Sequence, residues 1–155
     1  MYLLMIIALT AVLPIVSIAI DLAYPGGSRP IFLVGEWFVF WAVGVRLILA
    51  GVKQVTDPAF TARTIFDLKE PAALVVVQEL GFANFSIGAL GVLTQVNQQW
   101  VVPAAIVGGL FYGLAGIKHV RRHDRNRIEN IAMISDLFVF AVLAAFLAAT
   151  LWRTI

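Results

Sequence analysis

The amino-acid sequence predicts an all-α fold, a polytopic bundle of five transmembrane helices, and three observations support that prediction. Hydrophobic residues fill 61% of the 155 positions, and charged residues fill only 13%. A soluble domain carries about 25% charge and cannot hide so much apolar surface in its own core. The apolar residues also form five stretches, each near the ~20 residues that a helix needs to cross a bilayer. We therefore expect a single domain, residues 1–155, whose main partner is lipid.

The five stretches place the spans at about residues 2–23, 31–52, 72–94, 101–117 and 131–152. The first stretch has no basic region before it and no small-residue cleavage site after it. It is therefore expected to be an uncleaved transmembrane helix rather than a signal peptide. Pro14 predicts a kink within it.

The connection between spans two and three predicts a short amphipathic helix at about residues 58–69. Asp57 and Pro58 are typical of an N-cap and a first helical position, and Pro71 favours an end at Glu70. Apolar residues such as Phe60 are mixed with charged ones between these points. We expect this helix to lie at the membrane surface, with an ordinary loop helix as the alternative.

Charged residues within a bilayer are costly, so those inside the spans are candidate site residues. Arg46, Glu79 and Asp136 each lie about 9–12 Å from the same end of their spans, at ~1.5 Å per residue. We expect Arg46 to pair directly with Glu79, which leaves Asp136 as a surplus acid. Asp136 can share Arg46, meet Lys118, or hold a proton. Glu36, near the other end of span two, is expected to reach water.

Two side-chain amides, Gln78 and Asn84, can add hydrogen bonds to this buried polar cluster. Three roles for the cluster stay open: a clamp that fixes helix register, a proton-linked or substrate-binding site, and a contact with a partner subunit. His119 and His123 are four residues apart, but two ligands beside arginines are too few for a metal site. We interpret them as interfacial histidines, and we predict no metal.

Glycines mark places where helices approach closely, and Gly109 and Gly113 form a small-xxx-small pair in span four. This pair can serve packing within the bundle or a homo-oligomer. The aromatic residues Trp37, Phe38 and Trp41 are expected to face lipid or to form an outer belt.

The stretch from Val45 to Lys53, with Arg46 in a leucine-rich span before Gly51, and the Asp57-Pro58 pair after it resemble DoxX-like membrane proteins. Three further stretches, residues 79–84, 113–119 and 129–136, resemble a family of prokaryotic membrane proteins of unknown function. The first resemblance implies a four-helix form, with roles in quinone-linked oxidoreductases or beside redox-stress systems. This chain departs from that pattern in having no cysteine and one more span.

The function predicted from these features is that of an accessory or structural subunit of a membrane assembly. A small proton-linked transporter or channel and a quinone-linked redox subunit are the alternatives. No nucleotide-binding motif, nucleophile–base pair or nucleic-acid signature is present, so no cofactor is predicted and an enzyme is the less favoured reading. The partner is expected to be a homo-oligomer or a larger membrane complex.

The distribution of basic residues predicts the orientation. The loops after spans two and four carry three and five Lys or Arg, whereas the loops after spans one and three carry one and none. Basic loops stay in the cytoplasm, so we expect a plasma (inner) membrane protein with its N-terminus inside and its C-terminus outside. Reporter fusions at the two termini should be active on opposite sides. If both reporters were active on the same side of the membrane, the number of spans would be even, which would contradict the predicted five spans.

Overall fold

The computed structural model describes residues 2–24, 29–65 and 68–152, which form helices joined by short connections, with no strand among them. Five helices are long and apolar enough to cross a membrane, and they confirm the predicted fold class. We number them as spans one to five: Tyr2–Ala23, Pro30–Thr56, Ala72–Leu93, Val101–Arg121 and Arg127–Leu151. Span four extends beyond its predicted end at residue 117 because Lys118, His119 and Arg121 form a basic last turn, which a helix C-terminus favours.

Spans two and three meet backbone to backbone because glycines line both sides of their contact. A Cβ atom on Gly88 would lie 2.7 Å from the carbonyl oxygen of Gly44 and 2.7 Å from the nitrogen of Ile48. A Cβ atom on Gly51 would lie 2.6 Å from the carbonyl oxygen of Gly81. No Cβ atom fits at these glycine positions, so the glycines fix which faces of the two helices touch.

Span four uses its glycines against spans two and five. A Cβ atom on Gly113 would lie 2.8 Å from the Phe140 ring, and one on Gly116 would lie 2.6 Å from Leu137. Gly109 is also buried, but its Cβ atom would sit at an ordinary 3.7 Å from Leu143. The Gly109 and Gly113 pair therefore packs inside the bundle, which is one of the two uses that the sequence left open.

The buried core lies between spans two, four and five. Its fully enclosed members include Val39 and Val43 of span two, Tyr112 of span four, and Leu143 and Phe146 of span five. Spans one and three flank this core and expose more of their apolar surface, as helices in lipid can.

Two spans contain π-helical segments, at Ala8–Val12 and at Val39–Val45. The first lies directly before Pro14, where the sequence predicts a kink, and the N–H of Leu13 bonds five residues back to Ala8. Span one is tied to span two by two indole N–H groups. Trp37 donates to Asp21 at 2.7 Å and Trp41 donates to Ser17 at 3.0 Å.

The helix between spans two and three is shorter than predicted. It comprises Pro58–Phe60 and a π-helical segment Thr61–Ile65, and residues 68–70 are not helical. The predicted N-cap is confirmed, because the Asp57 carboxylate accepts from the N–H of Phe60, and its hydrogen bond with Lys53 lowers the pKa of Asp57. Thr61 and Ala62 are only 3% and 0% exposed, so one face of the segment packs against the bundle. Its position at the membrane surface stays a prediction. Phe66 and Asp67 lie outside the described residues.

The glycine contact between spans two and three generates the first structural prediction. Gly88→Ala should lower the free energy of unfolding by about 1–3 kcal/mol, because the new methyl group meets backbone atoms that cannot rotate away. Gly109→Ala is the matched control, since its methyl group finds ordinary contact distance and alanine favours helix. Thermal unfolding in detergent measures both. Equal stability of the two variants would contradict the backbone contact.

Candidate functional site

Arg46 and Asp136 form a buried ion pair between spans two and five. The Nη2 atom of Arg46 lies 2.8 Å from Oδ1 of Asp136 and also donates to the Ser135 hydroxyl at 3.0 Å. The two side chains are 9% and 8% exposed. An isolated charge at this depth would be strongly unfavourable, so each group requires the other.

The expected pairing of Arg46 with Glu79 is wrong. Glu79 is exposed on span three, while Arg46 turns toward span five. The reason is helix rotation: Arg46 follows Gly44 by two residues and Glu79 precedes Gly81 by two, and two residues turn a helix by about 200°. Because Gly44 and Gly81 belong to the contact between spans two and three, both charged side chains point away from that contact.

Tyr112 of span four completes the surroundings of Arg46. Its ring centre lies 4.8 Å from the guanidinium carbon of Arg46, a cation–π contact, and its hydroxyl donates to the carbonyl of Ala42 at 2.5 Å. The π-helical segment explains why that carbonyl is free. The N–H of Arg46 bonds to Trp41 and Val43 and so passes over Ala42, its ordinary partner.

These contacts link spans two, four and five through one guanidinium, and we call Arg46, Tyr112, Ser135 and Asp136 the arginine cluster. The Nη1 group of Arg46 is buried without a hydrogen-bond partner among the described residues. The cluster can therefore hold three helices in register and still offers one N–H group to an oxygen atom.

The two amides predicted to join this site form a separate contact. Asn84 donates to the side-chain oxygen of Gln54 at 2.8 Å, and Gln78 donates to the carbonyl of Val55 at 3.3 Å. Both bonds cross between spans three and two, on the side where the glycines meet. They stabilise that contact and do not touch the arginine cluster.

A second polar group lies nearer the basic loop. The Nδ1 atom of His119 is 3.0 Å from Oε1 of Glu129, and Arg122 approaches the same oxygen at 3.5 Å. Glu129 is only 1% exposed. Lys118, which the sequence offers as a partner for Asp136, is exposed, as is His123.

Four functional candidates escaped the sequence prediction: Tyr112, Ser135, Glu129 and Gln54. Glu129 precedes Asp136 by seven residues, which puts both carboxylates on one face of a helix, and that spacing is visible in the sequence. Tyr112 is a lone polar group in the glycine-rich part of span four. Its role as a hydrogen-bond donor to the carbonyl of Ala42 is visible only in the structure.

Polar and aromatic residues toward the other end of span two also differ from expectation. Glu36 is buried, at 6% exposed, because Gln98 covers it and donates to it at 3.1 Å. Phe38 is 5% exposed and belongs to the core, and Trp37 and Trp41 are half-buried with their N–H groups bonded to span one. Phe38 therefore does not face lipid, whereas Trp37 and Trp41 keep part of their surface exposed.

The arginine cluster generates a stability prediction. Asp136→Ala should destabilise the fold by about 3–5 kcal/mol, because it leaves the Arg46 charge buried and unpaired. Arg46→Met combined with Asp136→Leu should recover much of that loss, because both charges are removed together. Glu79→Gln serves as the control and should leave thermal unfolding in detergent nearly unchanged. If Glu79→Gln lowered the stability as much as Asp136→Ala, the result would instead support pairing of Arg46 with Glu79.

Comparison with known proteins places the chain in a family without giving it an activity. A model of a family of unknown function, DUF6790, matches residues 1–154. No curated protein and no solved structure matches the chain. The match agrees with the expected likeness to a family of unknown function and does not confirm the likeness to DoxX-like proteins. Since the match covers nearly every residue, this five-span protein belongs to the DUF6790 family.

Proposed function

We propose that this protein is a subunit of a membrane assembly and binds its partner through the outer face of span three. The observation behind the proposal is the position of Glu79. Its side chain is exposed, and large exposed apolar residues surround it on the same helical face: Val75 at 60%, Val76 at 68% and Phe82 at 51%.

The depth of Glu79 makes this exposure unfavourable in lipid. Glu79 lies seven residues beyond Ala72, the first residue of span three, so it sits about 10 Å along the helix. A carboxylate at that depth lacks water, and hydrocarbon offers it no hydrogen-bond donor. A neighbouring chain that supplies a donor or a cation removes this penalty, whereas lipid tails do not.

The outer face of span four provides a contrast within the same chain. Its exposed residues include Leu110 at 60% and Leu114 at 68%, and the helix carries no Asp or Glu. A purely apolar face needs only lipid. This contrast supports span three, rather than span four, as the face that binds a partner.

The transport alternative has less support. Two grooves, of about 350 and 160 Å³, open on the outer surface of the bundle, and neither is lined by Arg46 or Asp136. A quinone-linked role of DoxX type is supported only by the sequence resemblance of residues 45–58 to DoxX-like proteins. The indole groups of Trp37 and Trp41, which would line a headgroup site, are used in bonds to span one.

The same proposal includes an orientation in the plasma membrane, with the N-terminus inside. Asn126, in the loop after span four, donates to the carbonyl of Thr64, in the connection after span two, at 2.8 Å. This bond supports placing both basic loops at one end of the bundle. A common basic end facing the cytoplasm is the arrangement that favours this topology.

Cross-linking tests the proposed interface, and the absence of native cysteine makes single-cysteine variants clean. Val76→Cys on span three, carrying a photo-cross-linker attached through its thiol, should give a cross-linked species in native membranes. Leu114→Cys on span four, which is equally exposed, is the matched control and should not. Glu79→Leu should abolish the Val76→Cys product without lowering thermal stability.

The opposite pattern would overturn the proposal. A wild-type chain that is monomeric and monodisperse after gentle solubilisation, with equal labelling of Val76→Cys and Leu114→Cys and no cross-linked species, means that span three faces lipid alone.

A further inference from the structure

The outward face of span three is centred on Glu79. Seven other exposed residues of this helix lie within about 60° of Glu79, since each residue turns a helix by about 100°. They are Ala72, Val75, Val76, Phe82, Ala83, Ser86 and Leu93. Asn84 and Gly88 lie on the opposite side and contact span two. The one charged side chain of span three therefore stands in the middle of its exposed surface.

The Glu79 carboxylate has no cationic partner among the described residues. No hydrogen bond or ion pair joins it to any of them, and the two nearest cations along span two are already paired, Arg46 with Asp136 and Lys53 with Asp57. A neutral hydrogen-bond donor would still leave a net negative charge in hydrocarbon. A cation is the partner that removes the charge as well as the missing hydrogen bonds.

A groove of about 350 Å³ continues this face on the side of span two. Phe82 and Ser86, which lie one and two turns further into the membrane than Glu79, belong to one wall of the groove. Gly51 and Val55 of span two belong to the other wall. The groove is apolar and open to the outside, so it accepts a large apolar side chain from a neighbouring helix.

A second copy of this chain does not provide the required cation. Two span-three faces placed side by side bring Glu79 against Glu79, which sets like charge against like charge. Among the described residues, the exposed cations of the spans lie in end turns, within about 5 Å of a helix end, whereas Glu79 lies about 10 Å along its helix. These cations are Lys53, Lys118, Arg121 and Arg127.

We infer that the partner of span three is a different chain, whose transmembrane helix carries a Lys or Arg at the level of Glu79. Large apolar side chains on the same face of that helix, one to two turns deeper, enter the groove beside Phe82 and Ser86. This inference rests on the proposed function, because it gives the chemistry of the partner that binds the same face.

A charge series at position 79 tests the cation, with the photo-cross-linker at Val76→Cys as the readout in native membranes. Glu79→Asp keeps the charge and should keep most of the cross-linked species. Glu79→Gln keeps the shape and the hydrogen-bonding capacity but not the charge, and it should lower the yield by about tenfold, as expected when an interhelical polar contact is lost. Glu79→Lys should abolish the product, because it sets two cations against each other.

A bulky substitution tests the groove. Ser86→Trp fills the groove from the wall of span three and should lower the yield of the same cross-linked species. Leu114→Trp, on the exposed face of span four, is the matched control and should leave the yield unchanged. Thermal unfolding in detergent checks that both variants are folded.

A synthetic helix tests the same chemistry with a defined probe. The probe is a Leu- and Ala-rich peptide of about 20 residues, long enough to span a bilayer, with a single Lys about seven residues from one end. Energy transfer to the purified chain, labelled at Leu114→Cys in phosphatidylcholine vesicles, should show about tenfold tighter binding than for the same peptide with Leu in that position. Glu79→Gln should remove this preference.

The outcomes separate this inference from the proposed function. A cross-linked species that forms equally well with Glu79 and with Glu79→Gln leaves the interface in place but overturns the cation. A cross-linked peptide whose sequence belongs to this chain, or a peptide probe that binds equally with Lys and Leu, also overturns the inference. An unchanged yield in Ser86→Trp overturns the use of the groove. Absence of any cross-linked species in the Val76→Cys chain removes the interface itself, and this inference with it.

Discussion

The burial of the Arg46 guanidinium is the constraint on which the rest of the structure depends. A cation inside the bilayer is tolerated only if its charge and its N–H groups meet partners. Asp136 and Ser135 supply them from span five, and the Tyr112 ring supplies a third contact from span four. Spans two, four and five must therefore hold one register and one rotation, and the apolar core lies among the same three helices.

The π-helical segment of span two is part of this arrangement. It shifts the N–H of Arg46 away from the carbonyl of Ala42, and in hydrocarbon an unsatisfied carbonyl is unfavourable. The Tyr112 hydroxyl donates a hydrogen bond to that carbonyl, while the Tyr112 ring lies against the Arg46 guanidinium. One tyrosine thus satisfies both the irregular backbone and the buried charge, which explains how an irregularity persists beside the most polar point of the core.

Polar groups divide among three places, and each place favours a different role. The arginine cluster is packed and holds helices together. The Glu129 and His119 pair lies nearer the basic loop, where Arg122 approaches the same carboxylate oxygen. Glu79 stands apart, exposed on an apolar face.

The sequence by itself determined that the chain is a bundle of five membrane spans, because apolar length and loop charge are local properties of the chain. It also singled out Arg46, Glu79 and Asp136, because charges inside apolar stretches are conspicuous. Which acid meets Arg46 was decided only by the tertiary structure. Depth along a helix follows from counting residues, but rotation about its axis depends on what it packs against. The glycine contact between spans two and three turns Arg46 and Glu79 away from each other, and Arg46 toward Asp136.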